Sequence, residues 1–490
     1  MTGLGGAAAI AALLLGTVAN AQAAAPTVVV DLTGEVAPPA PGRPYAARTL
    51  PDRIILSPGA DPTREMAVSW RTDIAQGATL AELAELVPAP GFGLRAAPVN
   101  GLSRATTSEN GPARYHQARF TGLKPDTAYA YRLRGSAGWS EWHQFRTAIA
   151  EAAPFTFLYM GDTQNRILEI GSLAWRRAIV QAGNPVLMLH AGDLVASRDD
   201  MVHDDEWGEW TANGGWALAT IPQIPAAGNH EYVDVPLPGG KEARKLAPHW
   251  PLMFALPDNG APGAKATTYV TDWQGVRFIA LDGTSALDLG TLEAQTRWLD
   301  TELTRPGARW KIVFFHQPIF TCARPGDTPP LKKAWVPMFE KHGVDLVLQG
   351  HDHCYSRLTS AAGSEAGRTA RAGGAHQGPV YMVSVAGAKM YGLNDRAMTQ
   401  PDRVAEDSSL FQVVDVTAGR LSMRSYLNTG VLYDGFDLVR APDGRNRLEE
   451  LPDSLPTVRR CSGPSQPIDA PMPPTRKGPD GLPCTAETKN

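Results

Sequence analysis

The sequence contains no apolar run approaching the roughly 20 residues that a membrane-spanning helix needs. It also lacks a dominant charge: 46 Lys and Arg face 50 Asp and Glu, for a formal net charge of -4. Without a basic stripe, nucleic acid is not an expected partner. Without a block of like charge, no charged interaction tail is expected. There is no internal repeat. Cysteine is scarce, with only Cys322, Cys354, Cys461 and Cys484. What is present is length: 490 residues, 43% of them hydrophobic, enough for two or three domains with real cores.

The start of the chain reads as a signal peptide over residues 1–24. An apolar run from Ala7 to Val18 precedes Ala21-Gln22-Ala23, which fits an A-x-A cleavage site, although no Lys or Arg stands before the run. The competing reading is an Ala-rich irregular start. Cleavage implies a secreted or periplasmic protein with no membrane span in the mature chain. Export would make the four cysteines disulfide candidates, with three full pairings open. The preferred pairing is Cys461–Cys484, stapling the C-terminal tail, with Cys322–Cys354 joining two loops described below. In a cytoplasmic protein, buried free thiols would be expected instead.

Residues 25–50 are rich in Pro and Ala and read as a linker. Over 51–148 the pattern becomes short alternating runs, such as Arg64–Arg71, Tyr115–Phe120, Ala128–Leu133 and Glu141–Phe145. Gly, Pro and Asp separate them, as in a small all-β sandwich. Over 153–440 the texture changes to an α/β domain. Apolar strands are expected at Phe155–Met160, Pro185–His190, Val276–Leu281, Trp310–Phe315 and Val344–Leu348. Helices are expected at Ile167–Gln181, Leu292–Leu303 and Leu331–His342. Near-continuous apolar strands imply a sheet covered on both faces. Further strands are expected at Val380–Ala386 and around Phe411–Tyr426. Residues 441–490 are Pro-rich, polar and weakly periodic, and read as an extended surface tail.

The polar residues that suggest chemistry follow strand ends. They are Gly161-Asp162-Thr163-Gln164, Gly192-Asp193, Gly228-Asn229-His230-Glu231, His316 and Gly350-His351-Asp352-His353. Ligands of α/β sheets bind at the carboxyl ends of strands, so these loops can converge. Carboxylate, amide oxygen and imidazole form a mixed oxygen and nitrogen donor set for first-row transition metals. The set contains no thiolate, which argues against a structural zinc knot. Two divalent ions outweigh two carboxylates and a hydroxide, so the site stays positive and suits an anionic phosphate. The glycine before each of Asp162, Asp193, Asn229 and His351 is expected to make a tight turn that aims the next side chain inward.

These motifs, in this order and spacing, resemble the calcineurin-like metallophosphoesterases. Gly122-Leu123-Lys124-Pro125-Asp126-Thr127-Ala128-Tyr129, followed by Tyr131 and preceded by a core Trp70, resembles a fibronectin type III domain. That domain ahead of the phosphoesterase resembles the purple acid phosphatase group. The resemblance spans about residues 51–440. It implies an αββα-type sandwich and an exported, acid-leaning hydrolase of phosphate monoesters, with metal-bound hydroxide as nucleophile. A phosphodiesterase and a non-catalytic exported binding module are the alternatives. It also implies that Asp193 bridges two metal ions. Asp162, Gln164 and His353 would complete one site, and Asn229, His316 and His351 the other. His230 would stand outside the ligand shell and donate to the phosphate or the leaving oxygen, and Glu231 would hold the His230 ring. The implied ions are two divalent or mixed-valence metals, with Fe, Mn and Zn all open. The partner is a small phosphorylated substrate, with surface contact through the fibronectin-like domain a further role.

Two departures matter. Purple acid phosphatases carry a Tyr three residues after the second-motif Asp, and here Ala196 stands there. The iron(III) charge-transfer colour is therefore not expected. Many relatives have a His two residues after the first Asp, and here it is Gln164, a weaker neutral donor. Arg166 and Asn165 are candidate phosphate contacts or surface residues. Trp207, Trp210 and Trp216 are either core or a substrate-facing wall. His116, His143, His203, His249, His342 and His376 lie outside any motif and are expected to be solvated or structural.

Overall fold

The computed structural model describes residues 44–198, 200–239, 241–359, 378–440, 446–451, 455–465 and 476–484. The expected signal peptide and most of the linker lie outside these residues, as does His376. The described residues all fall within one compact unit, Val36–Asn490.

The N-terminal part is a sandwich of two antiparallel four-stranded sheets. One runs in the order Asp52–Pro58, Met66–Thr72, Gly111–Phe120, Leu102–Ser108. The other runs Ala97–Asn100, Leu80–Glu85, Ala128–Leu133, His143–Arg146. Alternating side chains of both sheets meet in a core around Trp70, Leu56, Val68, Phe120, Tyr131, Leu133 and Phe145. Trp70 is fully buried and stacks on His116 at 5.0 Å.

The second part is built on two seven-stranded mixed sheets. The first runs Gln223–Pro225, Leu187–His190, Phe155–Met160, Leu410–Val416, Arg420–Leu427, Leu432–Arg440, Asn446–Glu450. The second runs Tyr269–Trp273, Val276–Ala280, Trp310–Phe314, Leu346–Gln349, Val380–Val383, Tyr355–Thr359, Arg403–Ala405. Their facing sides share one core, in which Phe157 meets Phe278 edge-to-face at 5.2 Å. Helix Ser172–Ala182 covers the outer face of the first sheet, with Ala174, Trp175 and Ala178 buried. Helices Leu292–Thr304 and Pro329–His342 cover the second through Leu299, Leu303, Leu331, Trp335 and Phe339. Pro329 and Pro330 open the latter helix and Gly343, at φ +61°, ends it. This is the expected αββα sandwich.

Two segments differ from expectation. Within the expected surface tail, Asn446–Glu450 is an edge strand paired with Leu432–Arg440. Its side chains are half-buried or exposed, so it has no apolar signature. Residues Tyr232–Leu237 and Lys241–Leu246 form an unexpected two-stranded hairpin directly after Glu231. Both disulfides form as expected, Cys322–Cys354 and Cys461–Cys484, and there is no free cysteine among the described residues. No helix of the described residues is long and apolar enough to cross a membrane.

Candidate metal centre

The parallel strands of both sheets end on the same rim, and their loops converge there. Asp162 follows Phe155–Met160, Asp193 follows Leu187–His190, and Asn229 follows Gln223–Pro225. His316 follows Trp310–Phe314, and His351 and His353 follow Leu346–Gln349. Ligand atoms of Asp162, Asp193 and His353 lie within 4.8 Å of one another, and so do those of Asp193, His316 and His351. Asp193 belongs to both groups.

His316 Nε2 is the crowded point of the second group. It lies 2.9 Å from Asp193 Oδ2, 3.2 Å from Asn229 Oδ1 and 3.0 Å from His351 Nδ1. Its Nδ1–H donates to the Ala191 carbonyl at 2.8 Å, which commits Nε2 to the site. In the first group, His353 Nε2 is 3.3 Å from Asp162 Oδ1, and its Nδ1–H donates to the Lys389 carbonyl at 2.8 Å. Gln164 donates Nε2–H to Asp193 Oδ2 at 2.9 Å. Its Oε1 is buried with no hydrogen-bond partner among the described residues.

The electrostatics are those of donors crowded around a cation. Burial drives Asp162 well above the usual carboxylate range, and Asp193 adds to the push while His316 opposes it. Asp193 is driven the other way: burial works against it, but His316 and His230 hold it well below that range. His316 overcomes its own burial through Asp193 and Asp162 and rises to about 9. A single imidazolium proton thus does for two buried carboxylates what a metal cation does better. His351 and His353 are pushed well down by burial, and so stay neutral with a lone pair to offer. The orphaned Gln164 oxygen, the neutral imidazoles and the shared carboxylate all fit divalent metals.

Backbone strain concentrates here. Asp162, Asp193, His351 and His353 themselves adopt positive φ, at +46°, +51°, +72° and +47°. This corrects the expected role of the glycines. Of the four motif glycines only Gly192 has positive φ, at +87°. The others serve close approach: a Cβ on Gly228 would lie 2.2 Å from Asp193 Oδ1, and one on Gly350 2.2 Å from Asp162 Oδ2.

Glu231 also differs from expectation. Its buried carboxylate does not hold the His230 ring. It accepts the backbone N–H groups of Gly228, Asp193 and Leu194 at 2.6, 2.9 and 2.8 Å, tying the Asp193 and Asn229 turns together. A carboxylate three residues from a backbone N–H closes a tight local ring, and that bonding wins. Glu231 is therefore a positioning residue. The His230 ring is held instead by the Ala196 carbonyl, which accepts from Nδ1. His230 Nε2 then faces the site, 3.8 Å from Asp193 Oδ2. Burial lowers the His230 pKa, with Asp193 opposing.

Asp352 accepts the N–H groups of Cys322 and Ala323 at 2.6 and 2.8 Å and pairs with Arg324. Beside the Cys322–Cys354 bridge, this locks the His316 loop to the His351 loop. Arg166 is not brought to the site; it pairs with Glu169. Trp207 and Trp210 are core residues, at 2% and 0% exposure, whereas Trp216 is 66% exposed. His190 is a buried strand-end residue bonded to Gln223 at 2.8 Å. The carbonyls of Ala191, Ala196 and Lys389 were illegible in the sequence, because any residue type supplies a carbonyl.

Family profiles match this architecture in two blocks. The purple acid phosphatase N-terminal domain matches residues 51–147, and calcineurin-like phosphoesterase matches residues 155–355. Residues 155–355 are thus a calcineurin-like phosphoesterase domain. The purple acid phosphatase N-terminal domain stands directly ahead of it. An uncharacterized protein of Mycobacterium tuberculosis is 29% identical over 341 residues, 63% of this chain and 62% of that protein. The chain thus spans about three fifths of the length of that relative. Fe(3+)-Zn(2+) purple acid phosphatase 12 of Arabidopsis thaliana is 27% identical over 254 residues, 49% of this chain and 52% of that one. Among solved structures, purple acid phosphatase PPD1 of yellow lupin (Lupinus luteus) superposes with a TM-score of 0.65 at 18% identity. It covers 81% of this chain and 75% of its own. At that identity the likeness concerns the fold.

Proposed function

We propose that this chain is an exported phosphoric ester hydrolase acting on phosphate monoesters through two metal ions. The observation that carries the reading is the sharing of Asp193 between two donor groups. Asp162, Gln164 and His353 would hold one ion, and Asn229, His316 and His351 the other, with Asp193 between them. When bound, the pair would supply Lewis-acid polarisation of phosphate oxygens and a water whose pKa is lowered from 15.7 toward about 7.

The rest is done by the protein's own groups. Glu231 and Gly228 bring the Asp193 and Asn229 turns together. Ala191 and Lys389 carbonyls fix His316 and His353 so that Nε2 faces inward. His230, anchored through Nδ1, presents Nε2 toward the reaction centre and gives its proton to the leaving oxygen as the P–O bond breaks. A lowered pKa leaves the protonated, proton-giving form of His230 most populated at acidic pH, in keeping with acid-leaning activity.

The test compares an aryl monoester, an alkyl monoester and an aryl diester on protein of measured metal content. Monoester turnover above diester turnover supports the reading. Diester turnover far above monoester turnover points to a phosphodiesterase, and no metal with no turnover points to a binding module. His230→Ala is expected to keep its metals and lose about 10²–10⁴-fold on the alkyl ester. An unchanged alkyl rate removes His230 as the proton donor.

A further inference from the structure

We propose that the N-terminal sandwich is a working part of the phosphoesterase site, holding the His230 ring in place through Glu109 and Glu206. The inference rests on the reading of His230 as proton donor.

The connection begins at the tip of a sandwich hairpin. Strands Leu102–Ser108 and Gly111–Phe120 pair up to Ser108 and Gly111, leaving Glu109 and Asn110 as a two-residue turn. That tip sits on the start of helix Asp205–Gly214, in the phosphoesterase domain. Glu109 Oε1 accepts the N–H groups of Asp204 and Asp205 at 2.6 and 2.9 Å. The helix has no capping side chain of its own at Asp204, so a carboxylate from the other domain supplies the cap. The Glu109 N–H donates to the Val202 carbonyl at 3.0 Å. Asn110 Nδ2 donates to Asp204 Oδ2 and Asp205 Oδ1 at 3.0 and 2.7 Å. A second strut comes from strand Asp52–Pro58, where Arg53 grips the buried Asp204 carboxylate with bonds of 2.6 and 2.8 Å. His249 closes on the same carboxylate at 2.9 Å.

From the helix the path turns toward the metal centre. Glu206, in the first helical turn, accepts the N–H groups of Ala196 and Ser197, both at 2.7 Å and both on Oε2. His203 stands between the two glutamates, 3.4 Å from each. Ala196 then turns its carbonyl to His230 Nδ1. The peptide that orients the imidazole is thus fixed on its N–H side by Glu206, and the helix bearing Glu206 is capped by the sandwich.

Each glutamate makes both main-chain bonds with one oxygen. An amide oxygen can do the same, so Glu→Gln should preserve the hold and Glu→Ala should release it. The readout is the ratio of kcat for an alkyl phosphate to kcat for an aryl phosphate, since only the poor leaving group depends on a placed proton donor. Measured on metal-loaded full-length protein, Glu206→Ala is expected to lower this ratio about 10-fold, and Glu109→Ala in the same direction. Glu206→Gln and Glu109→Gln should stay near wild type. The exposed sandwich variant Lys124→Ala controls for general effects on that domain. In metal-free protein, the His230 Nδ1–H proton resonance, assigned by its loss in His230→Ala, should be protected from exchange in wild type and lose protection in Glu206→Ala.

Equal loss on both esters, or no change in ratio or protection, overturns the inference. If Glu109→Ala does not fold, Asn110→Ala, which removes the other side-chain bonds of the same turn to Asp204 and Asp205, tests the sandwich's part in its place, and an unchanged ratio there overturns that part. If His230→Ala itself leaves the ratio unchanged, the proton-donor reading falls. If His230→Ala lowers it and Glu206→Ala does not, only the positioning role falls.

Discussion

Asp193 shows at residue scale how much geometry one side chain can concentrate. Its Oδ1 accepts the His230 N–H at 2.9 Å, its Oδ2 faces His316 and Gln164, and its own N–H is held by Glu231. Such crowding leaves no space on the neighbouring turn. Gly228→Ala would place a methyl 2.2 Å from Asp193 Oδ1. The carboxylate cannot yield without leaving its partners, so the variant is expected to lose about 1–3 kcal/mol of stability and much of its metal. A thermal melt beside elemental analysis checks both, and wild-type values in both would contradict the account. The side chains that gather at the rim were legible because each is a polar residue a few positions past the end of an apolar strand. What orients them was not, since carbonyls of Ala191, Ala196 and Lys389 and the main-chain bonds of Glu231 carry no side-chain pattern. The misjudged Glu231 has the same origin: adjacency to His230 suggested a contact that the backbone turn does not allow.

Strands and helices were legible in proportion to their burial. Phe155–Met160, Val276–Ala280 and Trp310–Phe314 are apolar and almost wholly buried, and their sequences say so. Leu102–Ser108 is mostly exposed and Asn446–Glu450 has no buried residue, so neither shows a one-sided pattern. Burial also has a pH consequence. His190, inside the Leu187–His190 strand, is pushed by burial from 6.5 to about 4, Gln223 partly opposing. The unfolded chain takes up this proton near 6.5 and the fold refuses it until about 4. The unfolded state therefore binds more protons in that window. This contribution is whole above 6.5 and is lost as pH falls toward 4. It amounts to at most about 3 kcal/mol. Denaturant titrations at several pH values check it, with His190→Phe expected to flatten the slope. An equal slope in the variant would show that His190 does not titrate this way.

For the whole molecule, two sheets pressed face to face bring parallel strand ends to a common rim, and the sandwich domain closes against the loops there. The domain order was legible as a change of texture near residue 150, but the contact between Glu109 and the 202–206 segment was not. Long-range main-chain bonds leave no trace in local pattern. With Ala196 and no phenolate at that position, metal-loaded protein is expected to be colourless; an intense visible charge-transfer band would contradict this. The most direct measurement is metal stoichiometry on chelator-free protein, set beside Asp193→Ala. Two transition-metal ions per wild-type chain, with loss of metal in the variant, are predicted. A wild type that binds one ion or none, or a variant with undiminished metal, would contradict the shared-carboxylate centre.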